Sequence, residues 1–183
     1  MSKKTSESAA LPHDHVARVQ AQWRRELPDV DMEGARILGR ARRITLLSRV
    51  EIEAVFARHG IDTGEFDVIA TLRRSGPPYA LRPTELFQSL MISSGGLTDR
   101  LTRLEKRGLI RRRPSEEDRR SLLVELTAKG RAVAEAALRE DMAIENAMVG
   151  ALTRDERTEL IGLLRKLAAG VEARAESKAG DAA

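Results

Sequence analysis

Residues 82–127 carry a sequence of short periodic segments that few folds can use. Pro83 suits the first position of a short helix, where its missing N–H would have no intrahelical partner. Met91-Ile92-Ser93 reads as a turn, and Ser93 is placed to cap a second helix over residues 94–107. In that helix Leu97, Leu101 and Leu104 recur at i, i+4, i+7 as a buried face, and Gly108 stops it. Two extended stretches follow, 109–114 and 121–126, joined by a charged tip over 115–120, and Tyr79-Ala80-Leu81 is a candidate third strand. The order helix, turn, helix, wing is the outline of a winged helix-turn-helix and points to double-stranded DNA as the partner.

The charge distribution agrees. Residues 100–120 hold nine Lys/Arg against four Asp/Glu, a local net of +5 that exceeds the +4 of all 183 residues. The remainder is close to neutral, so the basic charge is focused on one structural unit. A solvated charge run would have the same composition, but its coincidence with the helix-turn-helix pattern favours phosphate contact.

Helical segments flank this unit. Val16, Val19, Trp23 and Leu27 mark an amphipathic helical arm within residues 12–30, ended by Leu27-Pro28-Asp29. Asp31 can cap a helix over 32–59 with Ile37, Ala41, Ile44, Leu47 and Val55 as its apolar stripe, stopped by Gly60. Thr63 is the expected cap of a helix over 64–74, closed by Ser75-Gly76-Pro77-Pro78. Thr127 can cap a long Ala-rich helix. Thr153-Arg154-Asp155-Glu156 is a capping box opening a last helix with Leu160, Leu163, Leu164, Leu167 and Val171 on one side. These end helices exceed what one winged domain needs to cover its core, and a two-fold dimer would bury their apolar faces. The expected organisation is a disordered tail (1–11), a helical arm (12–30), a dimerisation helix (31–60), a DNA-binding lobe (61–127), C-terminal dimerisation helices (128–175) and a disordered tail (176–183). The fold class is mainly α with a small β-wing, dimerised through its N- and C-terminal helices.

Several function classes are disfavoured. Cys is absent, so disulfides, Cys-based metal sites and thiol redox sensing are out. The three His, at 13, 15 and 59, lack zinc-ligand spacing, and neither a metal nor another cofactor is expected. No apolar run reaches the roughly 20 residues of a membrane span, and the polar N-terminus does not read as a secretory signal, so a cytoplasmic, nucleoid-associated protein is expected. An enzyme is not expected: no paired-carboxylate motif accompanies a His, and Ser94-Gly95-Gly96 is too short for a phosphate-cradling loop.

With Leu101 at the centre of the buried face and about 100° per residue, Thr98, Asp99, Thr102, Arg103 and Lys106 point outward. Gly95 and Gly96 in the first turn permit close approach to a sugar-phosphate strand, and Ser94 and Thr98 can hydrogen-bond bases or phosphates. Arg119 and Arg120 at the wing tip can enter a narrow minor groove; an ordinary surface hairpin is the lesser alternative, since it would not need its arginines beside a second basic helix. Arg100 differs, being about 60° from the centre of the leucine stripe and so turned into the protein. A half-buried arginine needs an anionic partner, and Asp67 offers one. Asp67 and Arg74, seven residues apart, share a helix face about 10.5 Å apart along the axis. An Asp67–Arg100 pair could be purely structural or could join the two helices functionally.

From about residue 34 to 171 the chain resembles the MarR family of dimeric winged helix-turn-helix regulators. The resemblance is carried by Arg82-Pro83-Thr84-Glu85-Leu86, by Leu101-Thr102-Arg103-Leu104-Glu105-Lys106-Arg107-Gly108-Leu109-Ile110, by Asp118-Arg119-Arg120 and by Leu126-Thr127-Ala128-Lys129-Gly130. Arg82 departs from the Thr more usual before that Pro. A narrower likeness to the urate-responsive (PecS/HucR/MftR-like) subgroup is carried by Phe66–Tyr79, by Ser93-Ser94-Gly95-Gly96-Leu97-Thr98-Asp99-Arg100-Leu101, and by the arm with Trp23 and Leu27-Pro28-Asp29. The resemblance implies a purine pocket of Trp23, Asp67, Arg74 and Arg100. It further implies a homodimeric repressor of a palindromic operator, released by urate and more weakly by xanthine or hypoxanthine. Urate would engage Arg74, repel Asp67 and break an Asp67–Arg100 link. The alternatives are a MarR regulator of phenolic or lipophilic ligands and a ligand-independent DNA-binding protein.

Overall fold

The computed structural model describes residues 14–91, 96–114 and 122–180, and the chain forms two compact units, 1–54 and 55–183. The expected tail at 1–11 and the turn residues Ile92 and Ser93 lie outside the described residues.

The first unit contains α1 (His15–Glu26) and most of α2 (Glu33–Arg58). Asp14 caps α1 by accepting from the Ala17 N–H at 2.7 Å, and the same carboxylate accepts from Arg40 Nε of α2 at 2.7 Å. Gly39 lets the two helices meet, since a Cβ there would stand 3.1 Å from Val16 Cγ1. Asp31 accepts from the Glu33 N–H at 2.9 Å, the expected start of α2. Ile37, Ile44, Leu47 and Val50 of α2 are exposed.

The second unit opens with the last turn of α2, where Val55 and Phe56 are buried and the Phe56 ring stacks on Phe66 at 4.2 Å. It continues through α3 (Thr63–Arg74), β1 (Ala80–Leu81), α4 (Pro83–Ser89), α5 (Leu97–Lys106), β2 (Ile110–Pro114), β3 (Leu122–Leu126), α6 (Ala128–Met148) and α7 (Arg154–Gly180), with a 3-10 turn at Val149–Ala151. The strands pair antiparallel in the order β1-β3-β2, with Ala80 opposite Glu125 and Ile110 opposite Leu126. The core gathers Val68, Ile69 and Leu72 of α3, Leu86 of α4, Leu101 and Leu104 of α5, Ile110, Val124 and Leu126 of the sheet, and Ala134 and Ala137 of α6. Helices α4, α5 and α6 thus close around α3 and the sheet.

The Gly60 and Gly108 helix stops have positive φ, 69° and 67°, which a residue with a Cβ adopts only at a cost. Thr127 caps α6 by accepting from Gly130 N–H at 3.0 Å, and Thr153 and Glu156 form the predicted capping box of α7. Gly130 has a second duty. A Cβ there would lie 1.9 Å from the Leu109 carbonyl oxygen, so the first turn of α6 rests directly on the backbone at the root of the wing.

Three expectations change. Asp62, not Thr63, caps α3: its carboxylate accepts from Glu65 N–H at 2.7 Å while Glu65 Oε2 accepts from Asp62 N–H at 3.0 Å. Asp competes well for such a position because its side chain reaches the third N–H with a full negative charge at the positive end of the helix. The second helix of the motif begins at Leu97, with Gly96 (φ 73°) before it, three residues later than predicted. The last helix runs to Gly180, through most of the segment read as a tail, continuing a run rich in Ala, Glu, Arg and Lys over 172–179 that favours helix.

On α7, Leu160, Ile161, Leu163, Leu164 and Val171 are exposed. Among the described residues no helix is long and apolar enough to cross a membrane.

Candidate nucleic-acid interface and ligand residues

The recognition element is α5, laid across α3 by its leucine face, with Leu101 and Leu104 buried. Of the residues predicted to point outward, Thr98, Asp99, Thr102 and Lys106 are exposed, and Thr98 and Asp99 line a cleft of about 510 Å³ with Pro83, Thr84, Phe87 and Gln88 of α4. Thr102 Oγ1 donates to the Thr98 carbonyl at 2.9 Å and accepts from Arg112 NH2 of β2 at 3.4 Å. Ser94, Gly95, Arg119 and Arg120 lie outside the described residues.

The wing is stitched to α5 and to itself. Glu105 of α5 accepts from the Arg112 N–H of β2 at 3.1 Å and faces Arg112 Nε at 3.6 Å. Glu125 of β3, 14% exposed, accepts from Arg111 at 2.6 Å and from Arg113. The hydrogen bond from Arg111 first, and that from Arg113 next, hold the Glu125 carboxyl below the usual carboxylate range. These acids fix the direction of the strand arginines across a surface that is otherwise basic.

Arg103 is exposed, as the helical wheel predicts, but its guanidinium is paired with acids at the start of α3. Nε donates to Glu65 Oε1 at 2.9 Å and NH2 donates to Asp62 Oδ2 at 2.8 Å. Arg107 joins it, donating to Glu65 Oε2 at 2.9 Å and to the Gly60 carbonyl. The two carboxylates that cap α3 are the reason: they concentrate negative charge where a long side chain on α5 can return to meet it. Glu65, 3% exposed, is the buried centre of this contact and the residue that sequence reading passes over. Its signal was available as the Asp62-x-x-Glu65 capping-box spacing.

The four residues assigned to a ligand fall in both units. Trp23 is in the first, on α1, and is 50% exposed. Asp67, Arg74 and Arg100 are in the second. Asp67 is 6% exposed and accepts from the Met91 N–H at 3.0 and 3.2 Å. Arg74 NH1 stands 4.0 Å from Asp67, and its NH2 donates to the Ser89 carbonyl. Both side chains of α3 therefore hold the backbone that leaves α4 toward α5. Arg100 turns inward as expected, and its guanidinium lies over Gly64 of α3, where a Cβ would come within 2.4 Å of Nε. Gly64 and Asp67, three residues apart, share one face of α3.

Beside this face is a cleft of about 360 Å³ between α3 and α6, lined by Ala70, Arg73, Arg74, Ala134, Glu135, Leu138 and Arg139. Arg73 pairs with Glu135 at 2.7 Å and stacks over the Tyr79 ring at 5.1 Å. Further along α6, Asp141 is 4% exposed with Oδ1 unbonded, and burial pushes its carboxyl up to about 6, with Glu145 adding repulsion.

Comparison with known proteins fits this arrangement. The MarR family profile matches residues 61–122, from the loop before α3 to the start of β3. The HTH-type transcriptional regulator PecS of Dickeya dadantii is 38% identical over 152 residues, 83% of this chain and 92% of that protein. A mutant of Escherichia coli MarR complexed with operator DNA has a similar structure, with a TM-score of 0.62 and 26% identity over 79% of this chain and 96% of that one. BpsR of Bordetella bronchiseptica, whose DNA binding is regulated by 6-hydroxynicotinic acid, has a TM-score of 0.63 and 25% identity over 72% of this chain and 92% of that one. These relatives are regulators of transcription, not enzymes. With a helix-turn-helix seated on α3, a three-stranded wing and a PecS-like sequence over most of its length, the chain belongs to the MarR family of transcriptional regulators.

Proposed function

We propose that the chain is the protomer of a homodimeric repressor whose two α5 helices enter successive major grooves of a palindromic operator, and that urate releases it. The observation that carries the ligand reading is the grip of Asp67 and Arg74 on Met91 and Ser89. Urate is anionic at neutral pH and would compete for the Arg74 guanidinium, drawing it off the Ser89 carbonyl. Its charge beside the buried Asp67 disfavours the carboxylate in its present place, and the Met91 tether loosens. The backbone leading into α5 is then released, so ligand and operator favour different states of the same segment. Xanthine and hypoxanthine, with less anionic charge, would act more weakly. The exposed apolar faces of α2 and α7 support the dimer. Thr98, Asp99, Thr102 and Lys106 are the described residues proposed to face DNA, with Ser94, Gly95, Arg119 and Arg120 completing the surface.

A gel-shift titration against the upstream region of the chain's own gene tests both parts. A shifted complex dissolved by urate is expected. A complex that persists at high urate excess removes urate as the effector, and no complex at all removes the operator reading. Urate is also expected to quench Trp23 fluorescence; unchanged emission takes Trp23 out of the ligand residues.

A second reading has its own support. The α3–α6 cleft is walled by Ala70, Ala134 and Leu138 and bordered by three arginines, a setting for a single-ring aromatic acid, and BpsR responds to 6-hydroxynicotinic acid. Hydroxylated benzoates and nicotinates in the same titration separate the two readings.

A further inference from the structure

The recognition helix and the residue that caps its end carry arginines at 100, 103 and 107, spaced i, i+3, i+7. In a DNA-binding protein such a stripe reads as a phosphate-contacting face. Here it faces the N-terminal end of α3 instead: Arg100 over Gly64, Arg103 on Glu65 and Asp62, Arg107 on Glu65 and the Gly60 carbonyl. Glu65 is the centre of this contact. Its side chain is 4% exposed, and each carboxylate oxygen accepts from a different arginine, at 2.9 Å in both cases. Oε2 accepts in addition from the Asp62 N–H.

A leucine face alone leaves a helix some freedom to roll about its own axis, because apolar contact is not directional. Two charge-assisted hydrogen bonds from residues one turn apart, both ending on one buried carboxylate, remove that freedom. We propose that Glu65 is a positioning residue for operator recognition: through Arg103 and Arg107 it sets the roll of α5 that presents Thr98, Asp99, Thr102 and Lys106 to the major groove. On this assignment the half-exposed Arg103 works through Glu65 and is not a phosphate contact. The inference rests on the DNA-binding reading above and names the residue that aims the helix.

The test compares Glu65→Gln, Arg103→Gln and the double variant with the wild-type protein. Each is titrated on the upstream DNA and on a random duplex across a range of salt. Glu65→Gln keeps the shape but loses the charge that both guanidinium groups share. Operator affinity is expected to fall about tenfold, the scale of one lost hydrogen bond to a charged group, with little change on the random duplex. Arg103→Gln is expected to cost a similar factor, and the double variant no more than either single one. The salt slope of all three stays at the wild-type value.

Two results overturn the proposal. One is a Glu65→Gln protein that binds the operator as tightly as wild type, or more tightly because Arg103 has been freed for phosphate. The other is a salt slope reduced by about 0.9 in Arg103→Gln, the signature of one lost phosphate contact. If circular dichroism finds Glu65→Gln unfolded, Arg103→Gln and Arg107→Gln, whose side chains are partly exposed, carry the comparison. Failure of the wild-type protein to bind the upstream DNA is a different outcome, and it strikes the DNA-binding reading itself.

Discussion

The Met91 N–H donates to both carboxylate oxygens of Asp67, at 3.0 and 3.2 Å, across 24 residues of sequence. A buried acid on α3 thereby holds the first residue of the turn between α4 and α5. Asp67→Ala would leave that amide without its acceptor and is expected to lower unfolding stability by about 1–3 kcal/mol. Asp67→Asn keeps one carbonyl oxygen for the amide and should lose less. Urea unfolding of the two variants beside the wild type measures the difference, and an Asn variant as unstable as the Ala variant would contradict it.

Gly64→Ala places a methyl group within 2.4 Å of the Arg100 guanidinium, the mobile end of a flexible side chain. The side chain is expected to move and the fold to remain, with a change in melting temperature of roughly a few degrees. On the proposed urate reading, the ligand response of Gly64→Ala should match that of Arg100→Ala, and the double variant should resemble either single one. Additive effects in gel-shift titrations would show that the two residues act separately.

Gly130→Ala has no such escape. The added Cβ meets the Leu109 carbonyl oxygen at 1.9 Å and its carbon at 2.8 Å, both backbone atoms. Either the wing root or the first turn of α6 must shift, at an expected cost of about 3 kcal/mol or more. Loss of soluble protein, or a melting temperature at least about 5 °C lower, is the expected result.

Asp141 gives the stability a pH dependence of unusual sign for a carboxylate. Its folded pKa, about 6, lies above the unfolded value near 3.8. Between those values the folded state binds more protons than the unfolded one, so this group's contribution falls as pH rises and is lowest above pH 6. Asp141→Asn removes the dependence. Melting curves from about pH 4.5 to 8 should find the variant gaining on the wild type toward the alkaline end, on the order of 1–3 kcal/mol, with the gap closing on acidification. A gap independent of pH would mean that burial does not raise this carboxyl.

What the sequence makes legible divides by range. The leucine stripe of α5, the glycine stops at 60 and 108 and the caps at Thr127 and Thr153 depend on neighbours within a few residues, and their local spacing reveals them. Tyr79-Ala80-Leu81 reads as a strand partner because alternation and the breaker before it are also local, and Ala80 and Leu81 pair with β3. Arg103 marks where this reasoning ends. A helical wheel gives the direction of Cβ, but a long side chain can turn back, and the acids that draw it lie 38 and 41 residues upstream. The fit of Gly130 against Leu109 is likewise invisible in a motif, since the motif names the glycine and not the carbonyl above it. Asp67 and Arg74 are singled out by resemblance, while their hold on Ser89 and Met91 comes only with the coordinates.

The carboxylates of Asp62 and Glu65 each serve two masters. They satisfy the otherwise unpaired N–H groups at the start of α3, and they anchor the arginines of α5. Fraying of one helix end and misaiming of another are therefore a single event. On the proposed role of Glu65, an opening of the first turn of α3, too brief to unfold anything, would release the arginines that aim α5. In that role, the time α5 spends correctly presented is limited by the stability of the first turn of α3.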